Sequence, residues 1–340
     1  MGVTTREIRL ASRPEGAPTS DNFELAEREL DEPGDGQVLI RNAWMSVDPY
    51  MRGRMNDVKS YVPPFEIGKA LQGGAVGQVI ESKADSVSEG DWVQNQLGWR
   101  EYALADADGL LPVDPGLAPA TTALGVLGMP GLTAWVGISE ICQISEGDTL
   151  FMSAASGAVG SAGGQIAKLR GAKVIGSAGS AEKVDFLTSE LGLDGAFNYK
   201  ETPPAEALAD LAPKGINAYF DNVGGDHLEA AIGALRAFGR IALCGMISQY
   251  NLTEPQPGPR NMPQLIGKRA TMQGFIIMDH FDRMGDFADE VGPWVADGSL
   301  KYRETIVEGL EQAPQAFIDT LEGDKLGKML VKVGPGPDEV

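Results

Sequence analysis

The chain has very few residues that bind transition metals or form covalent cross-links, with two cysteines and two histidines among 340 residues. Cys142 and Cys244 lie far apart and form no Cys-x-x-Cys pair, which excludes a disulfide framework. Their scarcity indicates a reducing compartment, which we expect to be the cytoplasm. Neither cysteine lies in the N-terminal part of the chain, so a catalytic zinc with two Cys ligands and one His ligand cannot be built there. The sequence therefore predicts no metal site.

Basic residues are also scarce, because 28 Lys and Arg oppose 48 Asp and Glu and give a net charge of −20. Binding to nucleic acid or to an anionic membrane requires clustered Lys and Arg, so we expect neither among the partners. A polyanionic ligand would need a locally basic site in this acidic protein.

An apolar signal region is missing from the N-terminus, which begins with a strand-like segment at residues 7–10. The longest uncharged stretch, residues 115–139, contains three Pro and five Gly. Such a segment is too broken for a membrane helix. We interpret it as buried chain at a junction between domains.

The pattern of secondary structure changes along the chain. Short alternating runs separated by Gly and Pro predict a small β-barrel or sandwich in the first third. Apolar runs alternate with helical segments between about residues 120 and 300, which predicts βαβ units on a parallel sheet. The run 329–333 is strand-like again and is expected to return to the first domain. The predicted domains are therefore residues 1–122 with 300–340, and residues 123–299.

A glycine-rich loop follows the predicted strand at 149–154 and precedes a helix. It approximates the Gly-x-Gly-x-x-Gly pattern, with Ala155 in the first position, then Gly157 and Gly160. Gly157 would let the backbone approach a pyrophosphate, and Gly160 would let helix and strand pack closely. The chain has 44 glycines, so the pattern is specific only because a strand and a helix flank it. A tight turn without a ligand is the alternative.

The residues at the end of the next predicted strand, residues 173–177, indicate whether the cofactor is NAD or NADP. An NAD site usually has Asp or Glu after this strand, but Ser177 and Gly179 lie here instead. Lys183 lies one helical turn further on, which favours a 2′-phosphate and hence NADP(H). A solvated helix residue is the alternative for Lys183.

The candidate chemistry follows by elimination. We expect structural roles for His227 and His280, and no strong general base is evident. Alcohol oxidation without a metal would need such a base, but reduction of a conjugated C=C bond does not. In that reduction, hydride goes to the β-carbon, and the enolate oxygen then requires a hydrogen-bond donor. Tyrosine is such a donor at neutral pH, and Tyr50, Tyr61 and Tyr250 lie in loop-like contexts. These three are the candidate catalytic residues.

Several motifs together are similar to the zinc-free leukotriene B4 dehydrogenase and prostaglandin reductase group of the medium-chain dehydrogenase/reductase superfamily, which includes alkenal double-bond reductases and curcumin-reductase-like enzymes. The motifs span nearly the whole chain, and no single one would suffice. They are residues 46–52 (SVDPYMR), 128–134 (GMPGLTA), 154–161 (AASGAVGS), 219–225 (YFDNVGG), 244–251 (CGMISQYN) and 274–277 (GFII).

The resemblance implies an α/β fold, with a Rossmann doubly wound parallel sheet that binds NADP and a GroES-like β-barrel domain that holds the substrate. It implies a homodimer joined through the Rossmann sheet. Tyr50 and Tyr61 would line the substrate pocket, and Tyr250 would contact the cofactor ribose and orient or protonate the enolate. The implied cofactor-binding residues are Ser156, Gly157, Ala158, Val159, Gly160, Ser177, Gly179, Lys183, Tyr199, Asn222, Cys244, Gly245, Ser248, Tyr250, Phe275, Ile276, Ile277 and Lys325.

One position departs from the family pattern. The family commonly has Asn near the cofactor in a Gly-Asp-Asn-x-Gly-Lys stretch, and Lys325 stands in its place between Asp324 and Leu326. Lys325 would either add positive charge near the nucleotide or be a surface lysine.

The resemblance implies NADPH-dependent reduction of the C=C bond of enones and alkenals, without zinc. A quinone reductase would share the fold and the absence of zinc, but matches less well at the Tyr250 loop. A non-catalytic NADPH-binding protein would retain Gly157, Gly160 and Lys183 without needing a substrate pocket. Both alternatives stay open at the level of sequence.

Overall fold

The computed structural model describes residues 2–339, which divide into two compact units. The first unit comprises the chain up to Leu124, Glu304–Lys325 and the segment from Met329 onward, and the second comprises Gly125–Arg303 with Leu326–Lys328. The sequence divides the domains after residues 122 and 299, and it places residues 326–328 in the first domain. The structure groups Leu326–Lys328 with the second unit because Gly327 and Lys328 form backbone hydrogen bonds there, with Ser156 and Arg303.

The strands follow the alternation of the sequence closely. They are β1 (Val3–Leu10), β2 (Phe23–Leu30), β3 (Gln37–Ser46), β4 (Ala75–Ser82), β5 (Trp92–Asn95), β6 (Tyr102–Asp106), β7 (Leu111–Pro112), β8 (Thr149–Met152), β9 (Lys173–Ala178), β10 (Gly195–Asn198), β11 (Ile216–Asp221), β12 (Leu235–Leu243), β13 (Thr271–Gly274), β14 (Glu304–Glu308) and β15 (Lys328–Lys332).

Most α-helices lie between the strands of the second unit. They are α1 (Met51–Arg54), α2 (Met129–Val136), α3 (Ala158–Leu169), α4 (Ala181–Asp185), α5 (Pro204–Leu211), α6 (Gly225–Ala234), α7 (Gln264–Lys268), α8 (Met284–Ala296) and α9 (Ala313–Glu322). Helices α2 and α4 continue as π-helical turns at Gly137–Ile141 and Phe186–Glu190. Within residues 2–339, no helix combines the length and apolar character that crossing a bilayer requires.

The first unit is a sheet domain. Its main sheet has the strand order β14-β15-β3-β4-β5-β7, with β6 paired to β3, and β1 and β2 form a separate antiparallel pair. Trp99 is fully buried in its core, where it stacks on Phe23 and meets Phe317 edge to face. This packing ties the returning helix α9 to the N-terminal strands, and burial of such aromatic rings contributes strongly to stability.

The second unit contains a parallel sheet in the order β10-β9-β8-β11-β12-β13. Numbered along the chain, these six strands follow the order 3-2-1-4-5-6 of a doubly wound dinucleotide-binding sheet. All four residues of β8 are buried, as expected for a central strand covered on both faces. The predicted α/β fold class is therefore confirmed, with a Rossmann sheet and an N-terminal sheet domain. Ligands bind such sheets at the carboxyl ends of the strands, where the order reverses.

Candidate active site

The phosphate loop lies at the reversal point, between the end of β8 and the start of α3. The backbone turns sharply at Ala154, which has a φ of +47°, and α3 then begins after Gly157. A Cβ atom at Gly160 would overlap the Ala154 carbonyl oxygen and lie 2.7 Å from the Ala155 Cα. This close approach of α3 to the loop after β8 is consistent with the packing role predicted for Gly160. The first N–H groups of a helix have no partner within it, so residues 158–160 offer donors to an anion.

The segment around Gly327 also contacts this loop. The Gly327 N–H donates to the Ser156 carbonyl oxygen at 2.9 Å, and Gly157 and Gly327 form an isolated parallel bridge. Gly327 has a φ of +69°, and a Cβ atom there would overlap the Arg303 carbonyl oxygen. Only glycine therefore allows the tail to lie against the phosphate loop.

Lys325, which precedes this contact, lies in the first unit. Its ammonium group is 3.6 Å from the Asp319 carboxylate, and its side chain is 42% exposed. The ion pair fits the surface-lysine interpretation, and a contact between Lys325 and the nucleotide stays a prediction.

A second group of predicted residues meets at the carboxyl ends of β9 and β10. A Cβ atom at Gly179 would lie 3.2 Å from the Tyr199 hydroxyl and 3.3 Å from the Lys200 Cε, so glycine keeps this space open. Tyr199 is held there because its N–H donates to the Ala178 carbonyl oxygen at 3.1 Å. Lys183 lies on α4 and is only 8% exposed, which does not fit a solvated helix lysine.

The donors and the charge of this group fit a nucleotide 2′-phosphate. Ser177 is fully buried, and its Oγ is without a hydrogen-bond partner among the described residues. Sequence reasoning did not find Lys200, whose side chain lies beside Gly179. The signal was available, because Lys200 follows Tyr199 directly and parallel strands bring their carboxyl ends together.

A third group lies on the loops after β11 and β12. The N–H groups of Cys244 and Gly245 donate to the Asp221 carbonyl oxygen at 2.9 and 3.0 Å. The Asn222 side-chain amide donates to the Ser153 carbonyl oxygen at 2.9 Å, and the Ser248 hydroxyl donates to the Val223 carbonyl oxygen at 2.5 Å. The structure therefore brings Asn222, Cys244, Gly245 and Ser248 onto one pair of adjoining loops.

Tyr250 ends this pair of loops. Its hydroxyl oxygen accepts the Met246 N–H at 3.3 Å, so the oxygen is bonded to its own loop. Burial raises the pKa of the neighbouring Cys244 thiol to about 12, which excludes a thiolate at neutral pH.

Phe275, Ile276 and Ile277 follow β13, the strand next to β12. The Phe275 ring packs edge to face on Phe220, with the ring centres 6.2 Å apart. The Ile276 carbonyl oxygen accepts the Asp279 N–H at 3.1 Å, which fixes the turn after this segment. A backbone contact to the nicotinamide amide stays a prediction.

Tyr50 and Tyr61 lie in the first unit, whereas Tyr250 lies in the second. Burial and the nearby Asp48 raise the pKa of Tyr50, while Arg54 opposes the shift, so Tyr50 is protonated at neutral pH. Tyr61 is 52% exposed. The loop that carries it is tied to Arg54, whose Nε donates to the Pro63 carbonyl oxygen at 3.0 Å.

The two histidines occupy the structural positions expected of them. His227 is 5% exposed and stacks on Phe151 with the ring centres 6.2 Å apart. Burial lowers the pKa of His227 to about 4. His280 lies 3.2 Å from Glu140 near the surface of the second unit. Across residues 2–339, no three His, Cys, Asp or Glu side chains are arranged to hold a metal ion.

Comparison with known proteins places these features among oxidoreductases. Residues 6–113 match the family described as the N-terminal domain of oxidoreductase, and residues 158–292 match the family described as zinc-binding dehydrogenase. The NADPH-dependent curcumin reductase of Escherichia coli is 45% identical, over 95% of both chains. The NADP⁺-dependent 2-alkenal reductase of Nicotiana tabacum is 40% identical, over 97% of this chain and 98% of that one.

Solved structures agree with the sequence comparison. The crystal structure of CurA from Vibrio vulnificus in complex with NADPH superimposes with a TM-score of 0.93. The two chains are 47% identical, and the match covers 97% of this chain and 99% of the other.

Proposed function

The chain belongs to the medium-chain dehydrogenase/reductase family, in the group of curcumin, prostaglandin and 2-alkenal reductases, and from this membership we propose that it reduces the C=C bond of enones and alkenals with NADPH, without zinc. One observation carries the proposal. The phosphate loop, the Lys183 and Tyr199 group, and the Tyr250 loop all lie at the carboxyl ends of the parallel strands. This is the edge of the sheet where a dinucleotide binds.

Different residues of the chain would bind different parts of the cofactor and the substrate. The N-terminal N–H groups of α3 would hold the pyrophosphate, and Lys183, Tyr199 and Ser177 would hold the 2′-phosphate. The bound nicotinamide supplies the hydride for the β-carbon. A phenol from Tyr250 would donate a hydrogen bond to the enolate oxygen. The donor matters because charge develops on that oxygen in the transition state.

Replacement of Tyr250 by Phe tests the proposed donor. Loss of a good donor to a developing oxyanion costs roughly 2.7–4 kcal/mol, which corresponds to about 10²–10³ in kcat. We expect this loss of kcat in steady-state kinetics, with a smaller change in the Kd for NADPH, whose ribose Tyr250 would also contact. Tyr102→Phe is the matched control, because Tyr102 lies on β6 of the first unit, opposite Arg41 on β3, and belongs to none of the three groups. A loss below tenfold for Tyr250→Phe would assign the donor to another residue.

The activity is tested by following NADPH oxidation with a simple aromatic enone in the presence of EDTA, with parallel reactions containing NADH and a quinone. We expect EDTA-insensitive oxidation of NADPH and the saturated ketone as product. Turnover of the quinone alone would show a quinone reductase. Tight NADPH binding with no turnover of either substrate would show a binding protein.

The quaternary state and the compartment are part of the same proposal. Strand β13 lies at the edge of the parallel sheet, and its neighbour β12 carries Phe238, which is 66% exposed. Ile266 on α7 is 81% exposed. An unpaired edge flanked by exposed apolar side chains supports a homodimer joined through this sheet. Two free thiols, Cys142 and Cys244, support the cytoplasm as the compartment.

A further inference from the structure

A buried carboxylate lies beneath the Tyr250 loop and is used by none of the steps above. Asp221 ends β11 and is fully buried. Its partners are neutral donors: the Tyr219 hydroxyl at 2.6 Å, the Val223 N–H at 2.9 Å and the Gly224 N–H at 2.7 Å, with the Ser153 hydroxyl at 3.4 Å. A carboxylate without a basic partner is costly to bury, so its presence requires an explanation.

The carboxylate fixes a turn. A single oxygen, Oδ1, accepts both the Val223 and the Gly224 N–H groups, which closes the chain over the aspartate before α6 begins. Gly224 has a φ of +74°, and a Cβ atom there would lie 3.1 Å from the Met246 Cγ. The turn therefore has one tight conformation, packed against the loop that carries Met246.

This turn, in turn, holds the Tyr250 loop through backbone hydrogen bonds. The Asp221 carbonyl oxygen accepts the Cys244 and Gly245 N–H groups, as described above. The Asn222 carbonyl oxygen accepts the Ile247 N–H at 3.2 Å, and the Val223 carbonyl oxygen accepts the Ser248 N–H at 3.2 Å. A shift of residues 221–223 would consequently move the whole of residues 244–250.

The same network reaches the start of the phosphate loop. The Ser153 hydroxyl lies 3.0 Å from the Tyr219 hydroxyl and accepts the Asn222 N–H at 2.9 Å. Burial raises the pKa of the Asp221 carboxyl, and hydrogen bonds from Tyr219, Gly224, Val223 and Ser153 offset only part of that rise. Charge-assisted hydrogen bonds are about twice as strong as neutral ones, which suits an anion that must hold a turn.

We propose that Asp221 is a positioning residue that holds the Asn222–Gly224 turn and the Tyr250 loop in the conformation that receives the nicotinamide half of NADPH. The proposal rests on the proposed function for the identity of the cofactor. It gives the buried carboxylate a role in orientation and not in chemistry, because Asp221 is fully buried.

The test replaces Asp221 by Asn in the full chain, which keeps the shape and one acceptor oxygen but removes the charge. We expect kcat to fall tenfold or more and the Kd for NADPH to rise at least threefold. The Kd for adenosine 2′,5′-bisphosphate, which probes only the adenosine half, should change less than twofold. A purely structural role would weaken both ligands alike, so this difference separates positioning from loosening of the fold.

The matched control is Asp148→Asn. Asp148 is also a turn carboxylate in the second unit, where it accepts the Ser145 N–H at 3.1 Å and pairs with Arg240 at 3.5 Å. It precedes β8 and so lies at the amino ends of the parallel strands, away from the proposed site at their carboxyl ends. We expect kcat and both dissociation constants to stay within twofold. Equal behaviour of the two variants, or parallel loss of both ligands in Asp221→Asn, would overturn the proposal.

A second variant covers the case in which Asp221→Asn does not fold. Gly224→Ala disturbs the same turn and leaves the carboxylate intact, so the same difference between the two ligands is expected; equal losses would overturn the proposal. The binding measurements need no enone. If the wild-type protein reduced no enone but the difference persisted, the proposed activity would fail while the role of Asp221 stood.

Discussion

At the scale of the residue, Lys183 is the position at which we propose that the preference for NADPH over NADH is decided. Lys183 is a buried lysine on α4, the helix that follows β9, and would pair with a 2′-phosphate; hydrogen bonds to charged groups contribute about 1.5–3 kcal/mol. We expect Lys183→Glu to weaken NADPH binding roughly 10- to 100-fold and to leave NADH binding nearly unchanged, as measured by fluorescence titration. Lys173→Glu, at the amino end of β9, is the matched control. Equal losses for NADPH and NADH would contradict the assignment.

His227 supplies a second prediction at this scale, on stability. Burial lowers its pKa from 6.5 to about 4, so the neutral form is favoured by folding. The resulting stability is present above pH 6.5 and is lost as the pH falls toward 4. Between pH 7 and pH 5, the unfolding free energy of the wild-type protein should fall by about 2 kcal/mol more than that of His227→Phe, as measured by urea unfolding. A wild-type pH dependence in the variant would show that other groups cause the loss.

Sequence alone predicts 2′-phosphate contacts from Lys183 and Tyr199, because no acid follows β9 and the family resemblance implies them. It did not identify Lys200 or Asp221. Lys200 reaches the group only through the parallel pairing of β9 and β10, where Asn198 lies opposite Ala178. Asp221 belongs to a recognised motif, but its role follows from hydrogen bonds between loops that are distant in sequence.

At the scale of the element, the Gly327 segment is the least predictable part of the fold. The alternation of strands and helices was readable, because buried parallel strands are short apolar runs between amphipathic helices. The tail was predicted as a strand, and β15 confirms it. The family pattern places the stretch around Gly327 near the cofactor, but the contact with the phosphate loop itself is made by a backbone N–H group, which residue types do not predict.

Replacement of Gly327 by Ala tests that contact. Ala is strained at a positive φ, and its Cβ would overlap the Arg303 carbonyl oxygen, so we expect a loss of about 2 kcal/mol or more in unfolding free energy. We also expect weaker NADPH binding, because the Ser156 backbone loses its donor. Gly323→Ala is the control, since its φ is +73° but its Cβ would meet nothing within 4 Å. Gly323→Ala should cost about 1 kcal/mol of unfolding free energy without changing NADPH binding. If both variants weakened NADPH binding equally, the contact between Gly327 and the phosphate loop would have no specific role in binding.

At the scale of the whole molecule, the exposed edge near β13 predicts association. Charge introduced there should oppose pairing of two copies, because buried like charges are costly at an interface. We expect the double variant Phe238→Lys, Ile266→Lys to shift the protein from dimer to monomer in sedimentation experiments. Leu117→Lys, at a residue that is 85% exposed in the first unit, is the control and should leave the dimer intact. A monomeric wild-type protein would contradict the proposed quaternary state.

The position of β15 has a consequence for biosynthesis. Strand β3 pairs with β6 over Gln37–Arg41 and with β15 over Trp44–Ser46, so the last part of β3 lacks this neighbour until β15 has been translated. The parallel sheet, by contrast, draws all its strands from residues 149–274. During translation, the second unit can therefore fold before the sheet of the first unit is complete. Until β15 arrives, the exposed part of β3 could pair with strands of other chains.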